Sequence, residues 1–160
     1  MFDGSFQTFE RVKREDTVIV IASVKNKIVM LKQKQPGSNW FYCTPSGRMD
    51  VPGEKPLAAA KRELLEETGM QAKKFFLWKK HETSGKVTST IYFFIARDCE
   101  KVTAQKLDVG EKIKVSLISF EEYLKLADNP QSHMWETIID SLKARLDKKY
   151  KNYLKKVIFG

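Results

Sequence analysis

Eight consecutive residues, Thr17 to Val24 (Thr-Val-Ile-Val-Ile-Ala-Ser-Val), carry no charge and leave no polar face. Such a β-branched, apolar run is expected to form a strand buried on both sides, so it needs a sheet covered above and below. A tight turn at Lys25-Asn26-Lys27 returns the chain into a second strand over residues 28–33. Val29 and Leu31 then point one way, Ile28 and Met30 the other. Residues before Asp16 are polar and are expected to form an edge strand or an arm. Further strands are expected at 72–78, 87–96 and 112–118, with loops at 81–86 and 97–111. Ser119 can cap a helix over 120–127, with Glu121 and Glu122 in its first turn. One long terminal helix is expected over 132–154, striped by Met134, Ile138, Leu142 and Leu146, with Trp135 and Ile139 beside the stripe. Strands, a helix, more strands and terminal helices predict an α/β fold with a mixed sheet between helices. At 160 residues the chain is expected to be a single domain, 1–160, large enough to bury a core without staples.

The chemistry concentrates between Gly47 and Met70, which reads as a glycine-bearing loop feeding one helix. Pro56 suits a first helical position, because its fixed φ fits the first turn and its missing N–H would be unpaired there. Ala58, Ala59, Ala60, Leu64 and Leu65 favour the helix, and Gly69 is placed to end it in a left-handed conformation. At about 100° per residue, Glu63, Glu66 and Glu67 share one face, and Leu57, Ala58, Leu64 and Leu65 oppose them. Lys61 falls among the apolar residues, where its stem must lie along the surface. Three carboxylates in one turn repel, and the single guanidinium of Arg62 does not neutralise them. Either this face is merely solvated, or a divalent cation sits on it.

The loop and helix together resemble the signature of the Nudix hydrolases, G-x5-E-x7-R-E-U-x-E-E-x-G-U with U apolar. From Gly53-Glu54 through Arg62-Glu63-Leu64-Leu65-Glu66-Glu67-Thr68-Gly69-Met70, every specified position from Glu54 onward matches, over seventeen residues. One position departs. The first glycine of the pattern would be residue 48, which is Arg48, and Gly47 stands one place early.

The resemblance implies an α/β/α sandwich that hydrolyses a phosphoanhydride in a nucleoside diphosphate linked to another group. It implies Mg²⁺, with Mn²⁺ as the alternative, held by Glu63 and Glu67. Glu66 would reach the same ion or a second one. Glu66 and Glu67 thereby count among the catalytic residues. Arg62 would orient an acidic neighbour, Glu54 would tie the loop to the helix start, and Gly53 and Gly69 would shape the turns. A main-chain carbonyl near Ser46–Gly47 would complete the metal shell, while Arg48 would contact a phosphate. The general base is expected from a later loop. Glu111, after Gly110 and before a strand, is the candidate, with His81 as the alternative. Trp40, just ahead of the glycine loop, is the candidate for stacking on a base.

Weaker patterns at Ser84-Gly85, Phe94–Asp98, Gly110–Ile113 and Ser119–Glu122 look like the ADP-ribose pyrophosphatase branch of that family. Members of that branch often carry a longer amino-terminal strand subdomain; about sixteen residues precede the first strand here. ADP-ribose or a nucleotide sugar is therefore the first expected substrate. A (d)NTP or a triphosphorylated or capped RNA end is the second. A nucleotide-binding module without turnover is the third, and the presence of all three glutamates argues against it.

Composition narrows the rest. The net charge is +9, and residues 131–160 hold seven Lys/Arg against three Asp/Glu, so polyanions are attracted. No RNA-binding signature accompanies that charge. No apolar run approaches the ~20 residues of a membrane span, and no secretory signal opens the chain. The two cysteines, Cys43 and Cys99, have no metal-site spacing, and Cys43 reads as buried filler. The expectation is a cytoplasmic protein, monomer or homodimer, acting on a small nucleotide.

Overall fold

The structure, a computed structural model, describes residues 2–160. The Thr17–Val24 run is strand β2, after a short β1 (Val12–Lys13), and Val18 to Ala22 are buried. Lys25 takes φ 53° in the turn, and β3 (Lys27–Lys34) returns antiparallel to β2. Next come β4 (Phe41–Cys43), β5 (Ser46–Arg48) and helix α1 (Pro56–Thr68). The chain continues through β6 (Met70–Glu82), β7 (Val87–Thr88), β8 (Thr90–Lys101) and β9 (Lys112–Ile118). It closes with α2 (Phe120–Lys125), a 3₁₀ turn (Leu126–Asp128), α3 (Trp135–Leu146) and α4 (Lys148–Phe159).

The main sheet is mixed, in the order β4-β3-β2-β8-β6, with β9 also pairing β3. Among the described residues only β2 and β8 run parallel within it. The sheet forks along β2. Thr17 to Ile19 pair with β5, whereas Ser23 and Val24 pair with β3. That fork leaves a gap between β5 and the β3–β4–β9 arm, and the polar cavity described below opens there. β1 and β7 form a separate parallel pair.

The pleat of β2 explains its uniform apolarity. Val18, Val20 and Ala22 pack with Ala59, Ala60 and Leu64 of α1 on one face. Ile21 packs on the other, against Phe120, Tyr123 and Leu124 of α2, Ala144 of α3 and Leu154 and Ile158 of α4. The result is a sheet between helices, as expected.

Three expectations about the middle of the chain change. Strand β6 extends to Glu82, so His81 lies on a strand opposite Ile91, not in a loop. The 87–96 strand is broken between β7 and β8, and β8 runs on to Lys101, which shortens the following connection. The α2 helix ends at Lys125 and passes into the 3₁₀ turn; its start is the expected one, with Ser119 and Glu122 forming a reciprocal capping box.

The terminal helix is two helices. Asp147 leaves the helical region (φ −122°, ψ 114°), and its carboxylate accepts the Lys149 N–H, which begins α4. An Asp disfavoured in a helix interior becomes a cap, and the chain turns back. The predicted stripe holds only at its start, where Met134 is buried and Ile138 half-buried. The buried face of α3 is Met134, Thr137, Ser141 and Ala144, while Leu142 and Leu146 face outward. Small side chains let α3 lie close to its neighbours, and α4 supplies the bulky Leu154 and Ile158. Lys79 and Tyr150 both bind the Asp140 carboxylate and tie β6, α3 and α4 together.

Candidate active site

Helix α1 begins at Pro56 and ends at Gly69 (φ 71°), whose N–H returns to the Leu65 carbonyl at 2.7 Å. On the helical wheel Glu63 and Glu67 lie between Ala59 and Leu64, so packing Ala59, Ala60 and Leu64 into the core carries the acids inward against β5. Leu57 and Ala58, expected to face the core, are instead exposed, and Leu65 is half-buried. Arg62 is the hub. Its Nε and Nη2 bind both oxygens of Glu54 at 3.0 and 2.9 Å, a two-pronged contact that fastens the loop to the helix. Its Nη1 donates to Glu63 at 2.7 Å and to Glu66 at 3.2 Å, and its Nη2 donates to the Arg48 carbonyl at 3.2 Å.

The displaced glycine has a steric reason. A Cβ on Gly47 would lie 2.0 Å from both Cδ and Oε1 of Glu63. Strand β5 sets residue 47 opposite Val18, so it is this position, not residue 48, that lets the acid come close. Gly47→Ala is expected to destabilise the protein by about 1–3 kcal/mol, the usual range for overpacking, and to lower kcat at least about tenfold. Gly53 sits in open space with φ +76°, so Gly53→Ala meets only backbone strain of about 1–2 kcal/mol. Urea melts and steady-state rates on the two variants separate these effects. Equal rate losses would contradict the steric assignment.

Glu67 is buried, and its Oε2 accepts the Ser46 N–H at 2.9 Å. Burial drives its pKa well above the ordinary 4.5; the Ser46 hydrogen bond opposes this and Glu63, Glu111 and Glu66 add to it. Burial likewise raises Glu63 from 4.5 to about 7, against the pull of Arg62 and helped by Glu66 and Asp50. The folded chain therefore keeps protons that the unfolded chain gives up. For Glu63 the resulting stability is full below about 4.5 and falls as pH rises toward about 7, and Glu67 adds a loss in the same direction. In metal-free protein Tm should decline across that window, and Glu63→Gln should flatten the decline. Divalent cation should raise Tm most at the upper end. A Tm that climbs from pH 4.5 to 7 would contradict this electrostatic picture.

These groups line a cavity of about 440 Å³ that also contains Arg48, Asp50, Lys106, Asp108 and Glu111. Glu111 follows the turn at Gly110, and its Oε1 accepts from Gln35 Nε2 at 3.2 Å. The structure thus brings Glu63, Glu66, Glu67, Arg62, Gly47, Arg48 and Glu111 into one cavity. It does not bring Trp40 there; its ring lies under Lys114 Nζ at 5.5 Å. His81 is exposed on β6 and does not line the cavity. Cys43 is buried, and burial with the fields of Glu67 and Glu111 pushes its thiol far up, away from thiolate chemistry.

Sequence reasoning passed over four residues. Gln33 and Gln35 alternate onto the cavity side at and just past the end of β3, and among the described residues the buried Gln33 Oε1 has no partner. Two glutamines two apart at the end of an apolar strand were the available signal. Lys106 lines the cavity beside its own N–H bond to the Glu66 carbonyl, and Gln105 Nε2 donates to the Glu67 carbonyl at 2.5 Å. Both hold the last turn of α1 from a connection without periodicity.

Six acids and three bases line this cavity, all hard oxygen or cationic groups. Among the described residues no three acids converge as a chelate, because Arg62 draws Glu63 and Glu66 to itself. The donor set still fits a hard divalent cation, since carboxylate oxygens in excess over nearby cations are what Mg²⁺-like ions take.

The fold and this site have counterparts among known proteins. The NUDIX domain family matches residues 12–137. An ADP-ribose pyrophosphatase of Bacillus subtilis (strain 168) is 32% identical over 131 residues, 79% of this chain and 70% of that protein. A methanol dehydrogenase activator of Bacillus methanolicus is 29% identical over 141 residues, covering 86% and 76%. A crystal structure of an ADP compounds hydrolase superposes with TM-score 0.73 at 20% identity, over 89% of this chain and 78% of that one. A NUDIX hydrolase from Nitrosomonas europaea gives TM-score 0.64 at 21% identity, over 81% and 88%. This chain belongs to the Nudix hydrolase family. Enzymes of that family generally use a divalent metal.

Proposed function

We propose that this enzyme hydrolyses the phosphoanhydride bond of ADP-ribose or a related nucleoside diphosphate sugar, with Mg²⁺ as its metal. The observation that carries the reading is the cavity itself, which Glu63, Glu66, Glu67 and Glu111 all line, while Arg62 beside them is already engaged by Glu54. The B. subtilis relative supports the substrate class.

In this reading Glu63 and Glu67 would hold the ion, with Glu66 beside them. Mg²⁺ bound there would neutralise charge on the diphosphate and favour its cleavage. Glu63 gives up its contact with Arg62, while Arg62 stays on Glu54 and keeps the loop against α1. Arg48 and Lys106 flank the acids and meet phosphate oxygens. Glu111 takes a proton from water as the water oxygen bonds to phosphorus. The bridging P–O bond breaks, and its electrons leave on the departing phosphate. Two phosphate monoesters result, AMP and ribose 5-phosphate when the substrate is ADP-ribose.

The test is a panel of ADP-ribose, other nucleoside diphosphate sugars, dNTPs and triphosphorylated RNA with Mg²⁺ or Mn²⁺, products resolved by mass. AMP with ribose 5-phosphate as the fastest-formed pair is the expected result. Pyrophosphate release from dNTPs or RNA at the highest kcat/KM would overturn the substrate, and strong salt dependence limited to RNA would point the same way. No turnover on any member would contradict the catalytic reading.

A further inference from the structure

Helix α3 turns four large apolar side chains away from its own core. Trp135, Ile139, Leu142 and Leu146 are 66%, 60%, 39% and 89% exposed, whereas Thr137, Ser141 and Ala144 are buried at 0–2%. At about 100° per residue the four exposed residues fall on one narrow arc, opposite the buried three. Their spacing of four, three and four is that of the seam between two paired helices. A row of large apolar residues along one helix, rimmed by charge, marks an interaction surface more than a solvated face.

The flanking charges identify the occupant. Glu136 and Lys143 follow the seam residues Trp135 and Leu142, so both lie on the same flank. Arg145 lies on the other flank, already paired with Asp128 at 2.6 Å. When an identical helix is laid antiparallel, Trp135 faces the partner's Leu146 and Ile139 faces the partner's Leu142. Glu136 then faces the partner's Lys143, twice by symmetry. A parallel pairing brings no opposite charges together along the seam. A self-complementary patch of this kind is what a two-fold interface requires. Lys143 lies 5.9 Å from the Tyr150 ring, a contact that keeps its ammonium near the flank.

We infer that α3 is a homodimer interface in which two copies of this chain pair antiparallel through Trp135, Ile139, Leu142 and Leu146. The seam is about two heptads long and smaller than a standard interface of roughly 800 Å² per partner, so the dimer is expected in the micromolar range. The inference does not rest on the proposed reaction, because the catalytic cavity lies beside α1 and β5.

Sedimentation equilibrium of the full chain across a concentration series tests it. A monomer–dimer equilibrium is expected, with Kd raised at least about tenfold by Ile139→Glu, one unpaired buried charge being enough. Ile139 is exposed, so circular dichroism should show that variant still folded. Glu136→Lys alone should weaken the dimer several-fold, and adding Lys143→Glu should restore it. Higher salt should not dissolve an apolar seam. A monomer at every concentration up to about 200 µM would overturn the inference. A dimer indifferent to Ile139→Glu, or a charge pair whose double exchange restores nothing, would also overturn it. Salt-sensitive binding to phosphatidylserine vesicles by a protein that stays monomeric would assign the stripe to a membrane instead.

Discussion

Replacing Glu67 with Gln should lower kcat on the preferred diphosphate by about 10²–10³-fold while leaving the fold intact. The range is that for removing one preorganised electrostatic group from a transition state. Gln is nearly isosteric, and its carbonyl can still accept the Ser46 N–H, so the contact between β5 and α1 survives. What disappears is the negative charge. The metal-free variant should even gain stability at neutral pH, because burial disfavours a charge that Glu67 carries freely in the unfolded chain and Gln never carries. Slower turnover with a higher metal-free Tm is therefore the expected signature. A variant that loses activity and stability together would show that Glu67 is structural.

Arg62→Met removes the one cation among the described residues that touches Glu54, Glu63 and Glu66, at 2.9, 2.7 and 3.2 Å. Removing one partner of a fully buried ion pair takes away about 3–5 kcal/mol. A quarter of the Arg62 side chain is exposed, so solvent screening should reduce this to about 2 kcal/mol. The loss should shrink toward pH 5, where Glu63, with its pKa raised to about 7, is protonated and no longer needs the guanidinium. Loop 49–55 would lose its anchor through Glu54, so KM should rise along with the fall in kcat. Urea melts at two pH values with steady-state kinetics read all three effects. A stability loss independent of pH would mean that the contact with Glu63 contributes nothing to it.

Local chemistry made the centre of the molecule legible in the sequence. Pro56 and Gly69 mark the ends of α1 because each has a backbone preference that few residues share. The apolar run at 17–24 demands cover on both faces, and the helices supply it. Patterns of hydrophobicity were a poorer guide where small or polar residues did the packing. On α3, Thr137, Ser141 and Ala144 bury a face that looks polar in sequence, and the more apolar residues stay outside. Asp147 interrupts an otherwise helical pattern by capping the next helix, a local hydrogen bond that a stripe cannot reveal. The glycine at 47 looked misplaced against a linear signature, yet the register of β5 on β2 decides which residue faces Glu63. Gln33, Gln105 and Lys106 were silent because they reach the cavity from a strand end and an aperiodic connection, and only the fold brings those segments to α1.

The reading stands or falls on whether the acidic turn of α1 holds a divalent ion against a diphosphate. A crystal structure with Mg²⁺ and a non-hydrolysable ADP-ribose analogue tests this directly. The account predicts at least one ion with octahedral oxygen ligands at about 2.1 Å, drawn from Glu63, Glu67 and the diphosphate. Glu63 would have left Arg62, which would remain on Glu54. An analogue bound elsewhere, with Glu63 still paired to Arg62 and no ion between the acids and the phosphates, would contradict it.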